Sequence, residues 1–428
     1  MRLLGNKNIR SYFIYSFGEY AKLASPILLL PILTRFLTKT DYGIISTFSA
    51  LTSVLSVFVS FTATGAVNRA YMDRKNTDLD FKSYLGNAIM TNTFLSIILC
   101  FPLIIIGYLN VVNLPKSLFF IIPLILLTQS IMAYKQKLWI LQEKPIQNSI
   151  FEASFRSLSL ILSVLLVLII FPDWRGRVIG LMLANLLFCV VSIFMLKKED
   201  NFTLTYNSVY AKDILKFGAP LIFHGIGMSL VGAADRLILN NQLGLNEVGI
   251  YGVASAIASA LVVFIMPFDK VIMPKMYTIF NNYDNENSVK AFKIFIFYVF
   301  YLCCSGYLFY LAAIFLGPFI IGEKFILAIE YIPVLIIAKI FYGLYRFSVM
   351  AIFYSKKTYL VSISTLSSGL IGILMMFLLV KNYGIIGVAW GFVLSNFLCF
   401  LFVFIFSQRL FPFPLFRKQF KNIKKVKL

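Results

Sequence analysis

Twelve stretches of this chain are apolar for 20 residues or more, near positions 13–36, 43–66, 83–109, 117–140, 148–171, 176–196, 214–239, 249–268, 291–315, 328–354, 358–380 and 385–408. A helix needs about 20 apolar residues to cross the hydrocarbon core of a bilayer. The pattern therefore predicts twelve membrane-spanning helices. The longest polar intervals, Arg69–Tyr84, Lys197–Asp213 and Asn281–Lys290, are too short to fold as domains of their own. Composition agrees. Of 428 residues, 60% are hydrophobic and 13% charged, whereas ordinary soluble domains carry about 25% charged residues. So little charge cannot cover a folded surface, and most of the surface must face lipid. The short basic N-terminus, MRLLGNKNIR, is followed by an apolar run without an A-x-A cleavage site. It reads as a retained first helix, not a signal peptide.

The charge that remains is lopsided, 39 Lys and Arg against 18 Asp and Glu. In a soluble protein such an excess would suggest nucleic acid. Here the basic residues lie between apolar runs, so the excess reads as membrane orientation and no nucleic-acid partner is expected. The N-terminus, the even-numbered loops and the C-terminus hold 27 of them; the odd-numbered loops hold eight, and four lie inside spans. Lys and Arg accumulate on the cytoplasmic side, which puts both termini there. The tail Arg417–Leu428 is a basic run suited to anionic lipid. The five cysteines, Cys100, Cys189, Cys303, Cys304 and Cys399, all lie in apolar runs and are read as small core residues.

The two halves of the chain resemble each other. DYGIISTFSALTS (Asp41–Ser53) aligns with EVGIYGVASAIAS (Glu247–Ser259) at an offset of 206, bringing Gly43 onto Gly249. RVIG (Arg177–Gly180) and GIIG (Gly384–Gly387) match at an offset of 207, and Phe217–Gly218 echoes Phe17–Gly18. Six spans per half give both halves the same orientation, a parallel repeat about an axis along the membrane normal. The expected organisation is a six-helix lobe over 1–196, a cytoplasmic linker over 197–213, a second six-helix lobe over 214–408 and a basic tail over 409–428.

Six ionisable residues stand well inside the spans: Glu19, Lys22, Glu152, Arg156, Lys339 and Arg346. At 1.5 Å per residue the four cations lie roughly 12–16 Å from their span ends. An unpaired charge there costs about 3 kcal/mol or more, so these side chains should face the bundle interior or a wet cavity. Glu152 and Arg156 share a helix face at i, i+4; Lys339 and Arg346, seven apart, share another. The plainer reading is that Glu152 snorkels to the interface and that Arg156 belongs to a structural pair. The sharper one is that four cations against two anions make a positive interior, kept because something negative binds or passes: phosphate, carboxylate or acidic sugar. Lys22, Arg156, Lys339 and Arg346 are then the candidate substrate-binding residues, with Glu19 and Glu152 as candidates for ion coupling or charge balance. The single histidine, His224, reads as structural, and Asp235–Arg236 as a local pair at an outer helix end.

Catalytic signals are missing from the sequence. With one histidine there is no Cys/His cluster and no metal site is expected. No G-x-x-x-x-G-K-[ST] loop is present, and the loops are too short and basic for a glycosyltransferase. No enzymatic activity and no cofactor are expected.

Three segments carry a family resemblance: PILTRFLTKTDYGIIS (Pro31–Ser46), which holds Arg35 and Gly43; ILKFGAPLI (Ile214–Ile222); and ADRLILNNQLGLNEVGIYGVAS (Ala234–Ser255), which holds Asp235, Arg236, Gly249 and Tyr251. DWRGRVIG (Asp173–Gly180) fits the same pattern. With the 6+6 parallel repeat, they resemble the Wzx-type polysaccharide flippases of the multidrug/oligosaccharidyl-lipid/polysaccharide exporter superfamily. The resemblance implies an all-α, MATE-like bundle of two lobes around a central cavity in the bacterial inner membrane. It further implies movement of undecaprenyl-pyrophosphate-linked oligosaccharide from the cytoplasmic to the outer leaflet, for O-antigen, capsule or another surface glycan. Membrane lipids are then partners, with polysaccharide polymerase and chain-length proteins as further ones, and a monomer suffices. Two alternatives stay open: a cation-coupled multidrug exporter of the same superfamily, and a non-transporting scaffold of a polysaccharide assembly complex.

Overall fold

A computed structural model of the chain describes residues 25–74, 79–200 and 202–415. Among them the regular structure is entirely helical, with no strand. The helices are α1 (Ser25–Phe36, its described part), α2 (Lys39–Asp73), α3 (Phe81–Tyr108), α4 (Ser117–Leu141), α5 (Pro145–Ile169), α6 (Trp174–Lys198), α7 (Ser208–Gln242), α8 (Leu245–Ser259), α9 (Val262–Asn281), α10 (Asn285–Ile320), α11 (Ala328–Tyr354) and α12 (Tyr359–Leu410). Among the described residues, nine candidate spans are long and apolar enough to cross a membrane.

Local sequence accounts for the boundaries. Thr38 caps α2 in a reciprocal box with Asp41, each side chain accepting from the other's backbone N–H, which satisfies two orphan donors at once. Asp80, Asp173 and Asp284 cap α3, α6 and α10 in the same chemical sense, and Pro145 opens α5, where its missing N–H is harmless. The 52-residue α12 covers the two predicted spans 358–380 and 385–408, because it is two helices joined at Gly384, whose φ of 59° and ψ of −137° break the helix. Only glycine adopts that conformation readily.

Two predicted boundaries are corrected. The eighth span was expected to end near 268; after a brief interruption following Ser259 the chain continues as α9 to Asn281. The seventh runs to Gln242, beyond the expected 239. Both changes move carboxylates from apparent helix ends into helices.

The chain separates into two compact units, one containing the described residues up to Ser229 together with Leu243–Gly249, the other Leu230–Gln242 together with the chain from Ile250. In the first, α4 packs against α2, α3, α5 and α6. Its buried core includes Tyr84, Tyr134, Leu138, Leu196 and Ile214, and an aromatic cluster of Trp139, Phe151, Phe155 and Phe188 in edge-on contacts, the orientation favoured by ring quadrupoles. In the second, α11 packs against α9, α10 and α12, around Met276, Phe280, Phe295, Tyr298, Leu302 and Phe347. Large apolar side chains such as Phe94, Phe101, Phe300 and Phe315 are exposed, which in water would invite aggregation and in a bilayer faces lipid.

Within the first unit the segment after α6 is strapped to α3. Asn87, fully buried, donates to the carbonyl of Thr205 at 2.8 Å and accepts from the backbone N–H of Asn207 at 2.8 Å. A Cβ at Gly86 would collide with the carbonyl oxygen of Thr203, so glycine is required for this approach. Lys135, fully buried, reaches Glu199 at 2.6 Å. Asp213 accepts from Arg69 and from the Tyr84 hydroxyl, the latter at 2.7 Å. Burial pushes the Asp213 carboxyl up, but these two bonds win and hold it below its ordinary value.

Also within this unit, the first turns of α2 and α8 cross closely. Thr40 donates to the Asn246 side-chain oxygen at 2.7 Å. A Cβ on Gly43 would strike the carbonyl of Leu245, and one on Gly249 the carbonyl of Lys39. The aligned motif glycines therefore serve matching close approaches.

Candidate functional site

The i, i+4 spacing of Glu152 and Arg156 on α5 becomes an ion pair, with Arg156 Nε 2.8 Å from Glu152 Oε1. Gln136 of α4 donates to the other carboxylate oxygen at 2.7 Å, so Glu152 is held from two helices. Arg156 lies over the Phe155 ring, 5.0 Å from its centroid. This geometry keeps the pair inside the protein and leaves both Nη groups of Arg156 outside the bond to Glu152.

Arg177 enters the same neighbourhood from the start of α6. Its Nη1 donates to Ser163 Oγ at 2.7 Å and to Ser159 Oγ at 3.3 Å. Ser159 and Ser163 follow Arg156 at i+3 and i+7, so all three lie on one face of α5. In the sequence Arg177 counts among the eight odd-loop cations and opens the repeat element RVIG, with no role at a site. The residual signal is the serine pair at helical spacing, which says nothing about which cation it serves until α6 is folded back.

In the second unit, Arg346 of α11 is paired with Asp269 of α9. Asp269 is buried and also accepts from the Tyr298 hydroxyl at 3.1 Å, while Arg346 Nη1 donates to Tyr342 at 3.3 Å. Sequence reasoning missed Asp269 because it placed the end of the eighth span just before it. The expected excess of mid-membrane cations is therefore smaller than four against two: Arg346 has a carboxylate of its own.

Lys339, one helix face with Arg346 by spacing, has different neighbours. Its Nζ lies 5.3 Å from the centroid of the Phe392 ring on α12, and its electrostatic neighbours are Arg236 and Asp235 of α7. Among the described residues it makes no ion pair. Eleven residues separate it from the first residue of α11, about 16 Å along the axis.

Asp235 and Arg236 do pair locally, but seven residues inside the end of α7 and with further partners. Asp235 is 1% exposed and accepts from the fully buried Tyr251 hydroxyl at 2.6 Å. Arg236 donates to Ser255 Oγ at 2.7 Å and lies 3.5 Å from Asp235. The conspicuous Asp-Arg and Gly-x-Tyr elements thus meet as a buried bracket between α7 and α8. Arg35 lies on an exposed part of α1. Glu19 and Lys22 fall outside the described residues, as does the His224 side chain. Among the described residues no cluster of three His, Cys, Asp or Glu side chains is placed to hold a metal ion.

Residues 9–280 match the family model described as polysaccharide biosynthesis protein. The chain belongs to this polysaccharide biosynthesis protein family. Two relatives in Haemophilus influenzae are similar to this family member: a protein of the Lsg locus, 24% identical over 278 residues, and an uncharacterized membrane protein, 22% identical over 275 residues. Each match covers 63% of this chain, and it spans 66% and 65% of those relatives' lengths. Among solved structures, the lipid II flippase MurJ in an inward closed conformation superposes with a TM-score of 0.71 at 15% identity, over 97% of this chain and 89% of that one. An inward-facing multidrug resistance MATE family transporter of the MOP superfamily gives 0.61 at 14% identity, over 97% and 96%. This member of the polysaccharide biosynthesis family therefore shares the all-helical fold of these two transporters.

Proposed function

We propose that the chain is a flippase that moves undecaprenyl-pyrophosphate-linked oligosaccharide from the cytoplasmic to the outer leaflet of the bacterial inner membrane by alternating access, for O-antigen or capsule biosynthesis. The supporting observation is Lys339: a cation about 16 Å along α11, with an aromatic face beside it and no ion-pair partner among the described residues. A charge without an ion-pair partner at that depth costs about 3 kcal/mol, a cost that a transient anionic substrate offsets. Family membership supplies the polysaccharide context, and the MurJ-like fold suits a lipid-linked cargo.

Residues 1–196 and 214–408 serve as the two lobes, 197–213 as the linker and 409–428 as a basic cytoplasmic tail, with both termini cytoplasmic. Arg156 with Lys22, and separately Lys339 with Arg346, whose pairing with Asp269 must yield, are the cations offered to an anionic cargo; Glu152 and Glu19 balance charge or couple an ion. Polymerase and chain-length proteins receive the cargo, and a monomer carries out the step. The buried carboxylates Asp235 and Asp269 would favour a cation-coupled drug exporter, but Tyr251 and Arg346 already occupy them, which argues against their holding a cationic drug. The test is gene deletion. It should leave lipid-linked oligosaccharide on the cytoplasmic side and remove surface polysaccharide, with no change in drug susceptibility; unaltered surface polysaccharide would defeat the reading.

A further inference from the structure

Of the cations inside the two units, Lys135 has Glu199, Arg236 has Asp235 and Arg346 has Asp269, and Lys339 belongs to the reading above. Arg177 is the least expected, since its sequence position suggested an orientation signal and a repeat element but no site.

We infer that Arg156 and Arg177 form a two-guanidinium subsite for a pyrophosphate group, with Ser159 and Ser163 positioning Arg177. This rests on the reading that the cargo is an isoprenoid pyrophosphate, and it names where in the first unit that group is held. Four observations carry it. Arg177 is anchored by hydroxyls alone: both serines take Nη1, and no acceptor from the described residues reaches Nε or Nη2. Arg156 spends Nε on Glu152 and keeps its two Nη groups. Arg156 stands one turn from Ser159 on the same face of α5, and Ser159 accepts from Arg177, so the two guanidiniums share one neighbourhood. Glu152 is fixed by Gln136 as well as by Arg156, so it cannot swing away to serve Arg177 without breaking both bonds.

Among the described residues the local charge is therefore two cations against one carboxylate. Packing like charges together in a poorly solvated interior is unfavourable, and a fold has no need of it, because the serine hydroxyls alone would accept a bond from a neutral donor. An anion with several oxygens removes the repulsion. Planar guanidiniums match phosphate oxygens in pairs of parallel N–H bonds, and two of them suit a group with two phosphorus centres better than a single carboxylate. Arg156 lies eleven residues into α5 and Arg177 in the first turn of α6, where α5 is ending. The subsite is thus elongated along the helix axis, from the middle of α5 toward the α5–α6 turn.

The test is binding by the full-length protein in lipid nanodiscs, using farnesyl pyrophosphate, farnesyl monophosphate and farnesol as probes. Wild type should bind the pyrophosphate more tightly than the monophosphate and farnesol most weakly. Arg177→Gln should weaken pyrophosphate binding at least tenfold and leave farnesol unchanged; Arg177→Lys should retain part of the affinity. Ser159→Ala with Ser163→Ala, which keeps every charge, should weaken pyrophosphate binding several-fold through loss of positioning. Lys116→Gln, an outer-loop cation, should change nothing. Wild-type affinity for the pyrophosphate in both Arg177 variants would overturn the subsite while leaving the flippase reading intact. Equal loss for pyrophosphate and farnesol would make Arg177 structural and overturn it too. Failure of the wild type to prefer the pyrophosphate over farnesol would overturn both.

Discussion

Thr40 and Asn246 stand 206 positions apart in the chain and share a hydrogen bond of 2.7 Å. That separation equals the offset at which the two halves align, so residues in equivalent places in the repeat touch each other. Gly43 and Gly249, equivalent by the same offset, each lie against the backbone of the other's helix start. Gly43→Ala or Gly249→Ala puts a methyl group into a carbonyl oxygen that cannot move without shifting its helix. Each change should destabilise the protein by about 1–3 kcal/mol, the usual cost of overpacking, read as a lower melting temperature and lower membrane abundance. Thr40→Ala, which removes one bond at an exposed position, should cost under about 1 kcal/mol. Unchanged melting of both glycine variants would mean the helices separate freely at this crossing.

The pair on α5 allows charge and geometry to be separated. Arg156→Ala should abolish surface polysaccharide at normal membrane abundance, and Arg156→Lys should keep part of it, because charge remains while the planar fork is lost. Glu152→Gln keeps the Gln136 contact in shape but removes the counter-charge. If Glu152 only balances charge, transport by this variant should fall less than tenfold and respond to collapse of the proton and sodium gradients as wild type does. Normal transport by Arg156→Ala would make Arg156 a structural charge.

The strap around α3 predicts a pH effect. The Asp213 carboxyl is held below its ordinary value in the folded protein, so its contribution is fully present above the unfolded value, about 3.9, and is lost as pH falls through the folded one. Asp213→Asn should therefore lower the melting temperature near neutrality, and the gap to wild type should shrink as pH falls below about 3.9 and through the folded value. Both partners are about two-fifths exposed, so solvent screening limits the effect to roughly 1 kcal/mol. A gap that stays constant from pH 7 to pH 3 would place the cause in packing instead.

How much of this was legible in the sequence depends on what sets each feature. Apolar runs are a property of solvent, so most of the spans among the described residues were readable, as was the i, i+4 pair of Glu152 and Arg156, which depends only on helix geometry. Asp269 was not, because FDK after an apolar run reads as a cytoplasmic boundary and only the continuation of α9 makes it interior. Arg177 was not, because its partners Ser159 and Ser163 lie on the preceding helix, and the turn between α5 and α6 decides where the side chain goes. The burial of Asp235 also depended on a distant partner, Tyr251, 16 positions away. Long-range pairings of this kind leave no periodic trace.

Orientation can be tested without substrate. Cysteines replacing Lys116 or Lys381 in a cysteine-free background should react with an impermeant thiol reagent added to intact cells, and one replacing Lys82 should react only after permeabilisation, as the basic asymmetry requires. The reverse pattern would invert the membrane orientation and with it the direction of transport.

The central claim is that a lone cation deep in α11 serves an anionic cargo, and Lys339 is where it can be tested most directly. Variants are scored for lipid-linked oligosaccharide accumulating on the cytoplasmic side, beside the membrane abundance of each. Lys339→Arg should transport, Lys339→Gln should be impaired, and Lys339→Glu should be blocked most severely, because repulsion in a low-dielectric interior adds to the lost attraction. Equal transport by the Glu and Gln variants at equal abundance would contradict the account and remove Lys339 from the substrate path.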